Sequence, residues 1–247
     1  MHHFFVKKEN IHDLKVYFDQ ADYVHITKVL RLKADEKVSV SDGEFFYTVN
    51  LVQLVNEVSG EIVATKPVDT ESPLHTILVQ GIAKGEKMDY IIQKATELGV
   101  NEIIPVETAF CVVKLDEHKK TERAQRWQKI ANEAAKQSKR GKVPKVHVPC
   151  SWPNVFSLLS EDALKILLWE SEENTHLNEI LEMHQQKKNL VLFIGPEGGL
   201  APEEVHFAVQ NGAVSVGLGR RILRTETAGM AVLAITQYIL GDLGGTQ

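Results

Sequence analysis

One stretch, VLFIGPEGGLAPEEV at residues 191–205, determines how the whole chain is interpreted. Its apolar run ends at Gly195, and a loop with two further glycines separates that run from a segment that begins at Pro202. Proline suits the first turn of a helix, and the glutamates that follow it suit the positive end of the helix dipole. The stretch therefore predicts a buried strand, a tight loop and a helix.

The same alternation of apolar runs and amphipathic segments fills the chain from residue 73 onwards. The apolar runs are LHTILVQGIA, NEIIPVET, KVHVP, ALKILLWE, NLVLFIG and AVSVGLG, and helix-like segments lie between most of them. Strands that are apolar on both faces and alternate with helices indicate an α/β fold with an open, mostly parallel sheet. In such sheets ligands bind at the carboxyl ends of the strands, which is where the GPEGG loop lies.

The chain before residue 73 has a different pattern. Its segments EKVSVSDG and EFFYTVNLVQLVNEVSGEIVATKPV are rich in β-branched and aromatic residues, with turn signals at Asp42-Gly43 and Ser59-Gly60. Short strands with such turns favour a small β-barrel. The polar, proline-bracketed segment KPVDTESP marks a domain boundary. We therefore expect one domain at residues 1–72 and a second at residues 73–247.

Composition narrows the class of protein. Of the 247 residues, 43% are apolar and 25% are charged, which is typical of a soluble globular protein, and the net charge is −5. Cys111 and Cys150 lie far apart without metal-ligand spacing, which argues against a disulfide scaffold or a zinc site and fits a reducing compartment. No apolar run reaches membrane-spanning length. We expect a cytoplasmic protein without a membrane partner or a bound metal.

Two glycine-rich loops are candidates for one binding site. GPEGG matches neither the dinucleotide fingerprint nor the P-loop, and Glu197 would repel a phosphate, so we expect a ligand with hydroxyls, amines or a positive charge. The second loop, SVGLGRRILRTETAG at residues 215–229, also follows an apolar run and carries three arginines and Glu226. Loops at neighbouring strand ends would form one pocket. For each loop taken alone, a plain strand-to-helix turn or solvated arginines are the alternative.

A basic segment accompanies the long helix that is predicted from about residue 117 to residue 139. Its cations line one helical face and then cluster in a short loop, and those predicted to bind RNA are Lys129, Lys136, Lys139, Arg140 and Lys142. In a protein that is acidic overall, this local positive patch suits the phosphates of a nucleic acid. Arg31, in the earlier basic stretch DYVHITKVLRLKADE, is added to the prediction. An ordinary solvated face is the alternative.

Four long motifs resemble a known family. They are QGIAKGEKMDYIIQKATELGV (80–100), NEAAKQSKRGKVPKV (132–146), FIGPEGGLAPEE (193–204) and VGLGRRILRTETAGMAVLAITQ (216–237). In this order they are similar to the bacterial ribosomal RNA small subunit methyltransferase E family of the knotted SPOUT methyltransferases, which make N3-methyluridine in 16S rRNA. The resemblance implies S-adenosylmethionine as cofactor, a PUA-like β-barrel that helps to hold RNA, a C-terminal trefoil knot and a homodimer. The partner it implies is 16S rRNA of the small ribosomal subunit.

The resemblance also implies roles for individual residues. Those expected to contact S-adenosylmethionine are Leu168, Ile194, Gly195, Glu197, Gly198, Gly199, Leu218, Gly219, Ile222, Leu223 and Thr225. Backbone groups would read the adenine edge, apolar side chains would pack on its faces, and Glu197 would tolerate the positive sulfonium. Of the two catalytic candidates, Arg224 would stabilise negative charge on the uracil. Glu226 would orient Arg224 or cap the last helix, in preference to accepting a proton.

Other functions stay open on the sequence alone. A knotted methyltransferase that acts on tRNA or on another rRNA nucleotide fits the same loops, and a non-catalytic RNA-binding protein fits the barrel and the basic helix. A dinucleotide oxidoreductase is a weak alternative because the fingerprint glycines and the ribose-binding acid are missing. The last helix, TAGMAVLAITQYIL, is apolar almost all round. One face would pack on the sheet, and another is left for a second subunit.

Overall fold

The computed structural model describes residues 1–53 and 57–245. Contacts within the chain divide it into two compact units, Met1–Glu71 with Ala135–Val143 and Ser72–Ala134 with Pro144–Gln247. The sequence pattern alone gives no sign that a later segment belongs to the first unit. The domain limits at residues 1–72 and 73–247 therefore stay a prediction.

A six-stranded sheet forms most of the first unit. Its strands are β1 (His3–Phe5), β2 (Ile11–His12), β3 (Lys15–Tyr17), β4 (Lys37–Ser41), β5 (Phe45–Gln53) and β6 (Ser59–Pro67). They lie in the order β1-β4-β5-β6-β3-β2, with β1 and β4 parallel and the other described pairs antiparallel. Helix α1 (Gln20–Val24) continues into a π-helical turn at His25–Val29. The core of the unit includes Phe4, Val38 and Val49, all buried.

The two turns predicted in this sheet have different outcomes. Between β4 and β5, Gly43 has a φ of +92°, and the Asp42 carboxylate accepts the two N–H groups that follow Gly43 at 2.9 and 2.8 Å. The turn predicted at Ser59-Gly60 is wrong, because both residues lie inside β6. A Cβ on Gly60 would lie only 2.4 Å from the side chain of Val49. This glycine therefore permits the close approach of β5 instead of forming a turn.

A seven-stranded parallel sheet forms the centre of the second unit. Its strands are β7 (His75–Gly81), β8 (Glu102–Glu107), β9 (Lys145–Val146), β10 (Cys150–Ser151), β11 (Leu164–Leu168), β12 (Asn189–Ile194) and β13 (Ala213–Val216). They lie in the order β10-β8-β7-β12-β11-β13, with β9 also paired to β8. Every described pairing in this sheet is parallel. The predicted α/β fold with a parallel sheet is confirmed.

Helices lie between most of these strands, and a last helix follows β13. They are α2 (Lys87–Glu97), α3 (Glu117–Gln137), α4 (Trp152–Val155), α5 (Leu177–Met183), α6 (Pro202–Gln210) and α7 (Thr225–Ile239). Helix α2 buries Ile91, Ile92 and Ala95, as its period predicts. Helix α6 begins at Pro202, because proline fits the first turn, where its missing N–H is not needed. Among the described residues, no helix has both the length and the hydropathy that a membrane span requires.

The strand order reverses between β7 and β12. These strands are neighbours in the sheet, although β8 to β11 lie between them in the chain. From β7 the chain moves outwards to β8 and β10, and it then crosses to β11 on the far side of β12. Because the strands are parallel, the segments that follow β7, β11, β12 and β13 all leave the same edge of the sheet. Ligands bind at this kind of edge in open α/β sheets.

Candidate active site

A cavity of about 460 Å³ lies at this edge of the sheet. It is bounded by the segments that follow β11, β12 and β13 and by the first residues of α2 and α7. It is lined by all eleven residues predicted to contact a cofactor, Leu168, Ile194, Gly195, Glu197, Gly198, Gly199, Leu218, Gly219, Ile222, Leu223 and Thr225. The volume falls within the usual range for small-molecule sites, roughly 300–1,000 Å³. The structure thus joins the two loops in one pocket, and their contact with a ligand stays a prediction.

The loop after β12 is shaped by its glycines. Gly199 has a φ of +74°, which favours glycine, and a Cβ there would lie 2.5 Å from a carboxylate oxygen of Glu170. A Cβ on Gly198 would lie 2.9 Å from the Cβ of Phe110. At the end of the loop, the Glu204 carboxylate accepts the N–H of Ala201 at 3.0 Å and so caps the start of α6. A side chain at either glycine would therefore collide with its neighbour unless that neighbour moved.

The loop after β13 is held against the segment that follows β11. The N–H of Gly217 donates to the carbonyl of Thr175 at 3.0 Å, and the N–H of Trp169 donates to the carbonyl of Val216 at 3.1 Å. A Cβ on Gly217 would lie 2.5 Å from the carbonyl oxygen of Glu172. The two backbones approach so closely that a side chain at Gly217 would separate them. This contact fixes the wall of the cavity that carries the arginines.

A buried hydrogen-bond network joins the first residue of α7 to the ends of β7 and β12. The Thr225 hydroxyl donates to the carbonyl of Gly195 at 2.6 Å and accepts from Nε2 of Gln80 at 2.8 Å. A Cβ on Gly81 would lie 2.5 Å from the ring of Pro196. Because the Thr225 hydroxyl makes both of these hydrogen bonds, it is not free to bind a ligand. Thr225 lines the cavity with its other atoms.

Three charged side chains from three chain segments meet beside the cavity. The ammonium of Lys87 lies 3.2 Å from Oε1 of Glu197 and 3.7 Å from Oε2 of Glu226. Oε1 of Glu197 also accepts the N–H of Lys84 at 3.1 Å. Partial burial alone would raise the pKa of Glu197. The N–H groups of Glu197 itself and of Lys84, together with Lys87, outweigh this effect and hold that pKa below its usual value. Glu197 is therefore ionised at neutral pH.

The two catalytic candidates lie close in sequence but have different surroundings. Arg224 is exposed at the residue that precedes α7 and lines the cavity. Glu226 is largely buried in the first turn of α7, is absent from the cavity lining, and has Lys87 as its ion-pair partner among the described residues. Across residues 1–53 and 57–245, no ion pair involves Arg224. The expectation that Glu226 orients Arg224 is therefore not supported by the geometry, whereas its place at the positive end of the helix suits the expected capping role.

The arginines and the isoleucine of the second loop form an exposed rim. Arg220, Arg221 and Arg224 are exposed, and Ile222 is 87% exposed although it lines the cavity. Guanidinium groups on an exposed rim are free to meet phosphates or a polarised base. Ile222 has room to pack on a ligand face only at the mouth of the cavity. Within the part of the chain that the structure describes, no group of three or more His, Cys, Asp and Glu side chains is arranged to hold a metal ion.

The predicted RNA-binding residues separate into exposed and buried groups. Lys129, Lys139, Lys142 and Arg31 are exposed and available to a phosphate. Lys136 is half-buried, with its ammonium 5.7 Å from the centre of the Phe4 ring. RNA binding by the exposed cations stays a prediction.

Arg140 requires a correction, because its guanidinium is buried and already paired. Its side chain is only 6% exposed, and its Nη2 lies 2.6 Å from Oε2 of Glu71. Its Nε donates to Oε1 of Glu71 at 3.4 Å, and the N–H groups of Gly141 and Lys142 donate to the same oxygen at 2.9 and 3.2 Å. Arg140 therefore holds its loop within the first unit instead of facing RNA.

Several residues that line the cavity were missed by the sequence interpretation. Trp169, Glu170 and Glu172 follow β11, and Lys87 is the first residue of α2, which follows β7. The signal that reveals them is the one used for the other two loops, since each lies at the carboxyl end of a buried apolar run or shortly after it. Applying that rule to every strand finds all four.

Comparisons with known proteins agree with this geometry. Residues 70–237 match the family model of the RNA methyltransferase domain. The chain is 32% identical over 256 residues to ribosomal RNA small subunit methyltransferase E of Bacillus subtilis, and the match covers 100% of both chains. The chain belongs to the ribosomal RNA small subunit methyltransferase E family. A second member, from Mesomycoplasma hyopneumoniae, is 32% identical over 86% of this chain and 88% of its own.

Solved structures extend the comparison with this family to the fold. A family member from Neisseria gonorrhoeae, solved with bound S-adenosylmethionine, is 31% identical with a TM-score of 0.88, over 98% of this chain and 99% of that one. A putative methyltransferase from Legionella pneumophila, solved with the same cofactor, is 30% identical with a TM-score of 0.87, over 98% of both chains. The family resemblance expected from the four motifs is confirmed.

Proposed function

We propose that this protein transfers the methyl group of S-adenosylmethionine to N3 of a uridine in 16S rRNA. The observation that carries the proposal is the single cavity that gathers all eleven predicted cofactor residues. It is supported by the full-length similarity to a methyltransferase of small-subunit ribosomal RNA and by a family member that was solved with this cofactor. The reaction class, the cofactor and the substrate class follow from this combination.

The residues of the cavity fit the cofactor. The backbones of Gly195–Gly199 and Gly217–Gly219 supply donors and acceptors for a polar-edged, flat adenine, and Leu218 and Leu223 supply apolar surface. The ionised carboxylate of Glu197 suits a ligand with a positive charge. When bound, the cofactor supplies a methyl group made electrophilic by the neighbouring sulfonium.

The residues of the protein have to favour an anionic uracil. Uridine N3 keeps its proton at neutral pH, so it is a poor nucleophile until that proton is lost. The exposed guanidinium of Arg224, at the mouth of the cavity, is placed to stabilise negative charge on the uracil carbonyls. The target base must be unstacked or flipped out of the RNA to reach this guanidinium. Binding in the cavity would also exclude water and fix the orientation of the base.

A trefoil knot and a PUA-like barrel complete the proposed fold. The knot is supported by the path of the chain after β13, which contacts the segment after β11 at Gly217 and the segment after β12 at Thr225 before it enters α7. The barrel is supported by the six-stranded, mainly antiparallel sheet of the first unit. Both features are those expected of SPOUT enzymes of this family.

The proposed assembly is a cytoplasmic homodimer that acts on the small ribosomal subunit. Helix α7 buries Val232 and Leu233, while Ile235 and Tyr238 are 36% and 69% exposed. An exposed apolar and aromatic face opposite a buried one suits a second copy of the chain. Lysines such as Lys139 and Lys142 would attract the phosphates of rRNA. A monomeric mass by light scattering at micromolar concentration, combined with full activity, would exclude the dimer as a requirement.

Methyl transfer from labelled cofactor to defined RNAs tests the proposed reaction. Purified protein is incubated with assembled small subunits, naked 16S rRNA and tRNA, and the labelled RNA is digested for mass mapping. We expect label on N3 of a uridine in 16S rRNA and none on tRNA. Gly199→Val serves as a matched control, because its side chain would meet Glu170 inside the pocket. Label confined to tRNA would refute the substrate, and absence of label together with absence of cofactor binding would refute the activity.

A further inference from the structure

The cluster of Lys87, Glu197 and Glu226 contains two charged side chains, Lys87 and Glu226, that the proposed reaction leaves unexplained. Lys87 and Glu197 line the cavity, and Glu226 supports Lys87 from behind at 3.7 Å. The three residues belong to α2, to the loop after β12 and to α7. They are thus joined only where the strand order reverses, at the place where a ligand of this sheet is expected.

The cluster is unbalanced in formal charge. One ammonium faces two carboxylates, which leaves one excess negative charge beside the cavity. In addition, Oε2 of Glu226 is buried and has no hydrogen-bond partner within the described residues, since Lys87 is too far away for a hydrogen bond. Buried charges are stable only when they are paired. A cluster of this kind suits a ligand that has both a cationic and an anionic group. The cation would interact with a carboxylate of the cluster, and the anion would interact with the Lys87 ammonium.

A separate part of the cavity rim is positively charged. Arg220, Arg221 and Arg224 are exposed on the segment after β13, and they are suited to RNA phosphates and to the target base. The charged groups around the pocket are therefore the arginine rim, the cluster of Lys87, Glu197 and Glu226, and the carboxylates of Glu170 and Glu172 on the segment after β11. A ligand that has a zwitterionic group at one end would place that group at Lys87, away from the arginine rim.

We propose that Lys87 and Glu197 bind the amino-acid end of S-adenosylmethionine, with the Lys87 ammonium as partner of the α-carboxylate and Glu226 as a positioning residue for Lys87. This inference rests on the proposed function for the identity of the ligand. The α-ammonium and the sulfonium of the cofactor are positive and its α-carboxylate is negative, so the cofactor carries one excess positive charge. Its charges are thus complementary to those of the cluster, both in sign and in total. Glu226 acts through Lys87, by holding the ammonium at the cavity wall.

Two analogues isolate this end of the cofactor. S-adenosylhomocysteine and 5′-methylthioadenosine share the adenosine and an uncharged sulfur, but only the first has the α-ammonium and the α-carboxylate. Calorimetry with both analogues measures the contribution of the amino-acid end without any turnover. We expect Lys87→Met to lower the affinity for S-adenosylhomocysteine by about 10- to 100-fold, as for the loss of a charged hydrogen bond. The affinity for 5′-methylthioadenosine should be unchanged.

Matched variants separate recognition from folding. Lys87→Arg should keep most of the affinity for S-adenosylhomocysteine, because it keeps a cation at the same place. Glu226→Gln should lower the affinity for S-adenosylhomocysteine and leave the affinity for 5′-methylthioadenosine unchanged. Lys84→Met should change neither affinity, since the contact of Lys84 with Glu197 is made by its backbone N–H. Thermal unfolding of each variant checks that the fold is kept.

Three outcomes would overturn the inference. If Lys87→Met loses affinity equally for both analogues, Lys87 has a structural role. If it loses affinity for neither, the amino-acid end binds elsewhere. If it binds S-adenosylhomocysteine more tightly than the parent does, Lys87 repels that end of the ligand. Methyl transfer by the parent protein is measured on the same preparations. If the parent is active and Lys87→Met binds both analogues as the parent does, only this inference fails. If the parent binds neither analogue and transfers no methyl group, the proposed function fails and the inference fails with it.

Discussion

The buried ion pair between Glu71 and Arg140 allows a quantitative prediction about the first unit. The side chains are 12% and 6% exposed, so both charges are largely removed from water. Glu71→Ala would leave the Arg140 guanidinium buried without its carboxylate. It would also remove the acceptor of two backbone N–H groups, those of Gly141 and Lys142. We expect the variant to unfold the first unit more easily than any change to an exposed lysine nearby.

The magnitude follows from the loss of one partner of a buried ion pair. Removal of one partner of such a pair costs about 3–5 kcal/mol, and solvent screening gives little relief because both partners are buried. The N–H of Gly141 keeps the hydroxyl of Thr70 at 3.0 Å as a second acceptor, and Lys142 is exposed to water, so these two groups add little. A loss of this size is a large part of a typical domain stability of about 5–15 kcal/mol.

Hydrogen exchange is the suitable assay, because a chain of two compact units need not unfold in one step. Amides in the core strands, such as those of Val38 and Val40, report the opening of the first unit, and amides of β12 serve as an internal reference. Lys139→Ala, at an exposed neighbour, should change stability by less than about 0.5 kcal/mol. The double variant Glu71→Leu/Arg140→Met should be more stable than Glu71→Ala, because it removes the buried guanidinium together with its carboxylate partner. A loss below about 1 kcal/mol in Glu71→Ala would refute the buried pair and would return Arg140 to the RNA-binding candidates.

Three further predictions concern RNA binding, catalysis and pH. Reversing Lys139 and Lys142 to glutamate should weaken RNA binding and flatten its salt dependence, because fewer counterions are released; an unchanged slope in filter binding would exclude both residues. Arg224→Ala should lower the single-turnover methyl-transfer rate by about 10²–10³-fold and leave cofactor affinity nearly unchanged; a parallel loss of affinity would assign Arg224 to the cofactor. Burial, helped by Lys136, outweighs a backbone hydrogen bond and lowers the pKa of His3 from 6.5. The first unit should therefore keep full stability above pH 6.5 and lose stability as the pH falls below 6.5. In denaturation experiments, His3→Gln should abolish this pH dependence.

The strand, loop and helix at residues 189–210 are predictable because each of their signals is local. A continuous apolar run indicates a buried strand, and Pro202 marks the first turn of the helix that follows. The glycine at residue 199 is needed for its own φ of +74°. None of these requirements depends on a distant part of the chain, so the sequence shows them without the fold. The same local reasoning finds the second loop, whereas the sheet brings both loops to one cavity.

Local reasoning fails where a residue is defined by a distant partner. The lysines and arginine at residues 136–145 form a basic cluster in the sequence, yet Arg140 is neutralised by Glu71, which lies 69 positions earlier. Gly60 resembles a turn signal, but the approach of Val49 from the neighbouring strand is what requires it. In both cases a residue type with a common local use serves a contact that only the tertiary structure creates.

The charge of the cavity is a property of the strand order and not of any single motif. GPEGG contributes Glu197, the start of α7 contributes Glu226, and the start of α2 contributes Lys87, which the sequence gives no reason to pair with either glutamate. The three meet because β7 and β12 are neighbours in the sheet and because Thr225 ties the start of α7 to both strands. A different strand order with the same motifs would leave two unpaired carboxylates, which would repel the α-carboxylate of the cofactor. The proposed binding of the amino-acid end therefore depends on the strand order, which brings Lys87 to the pocket.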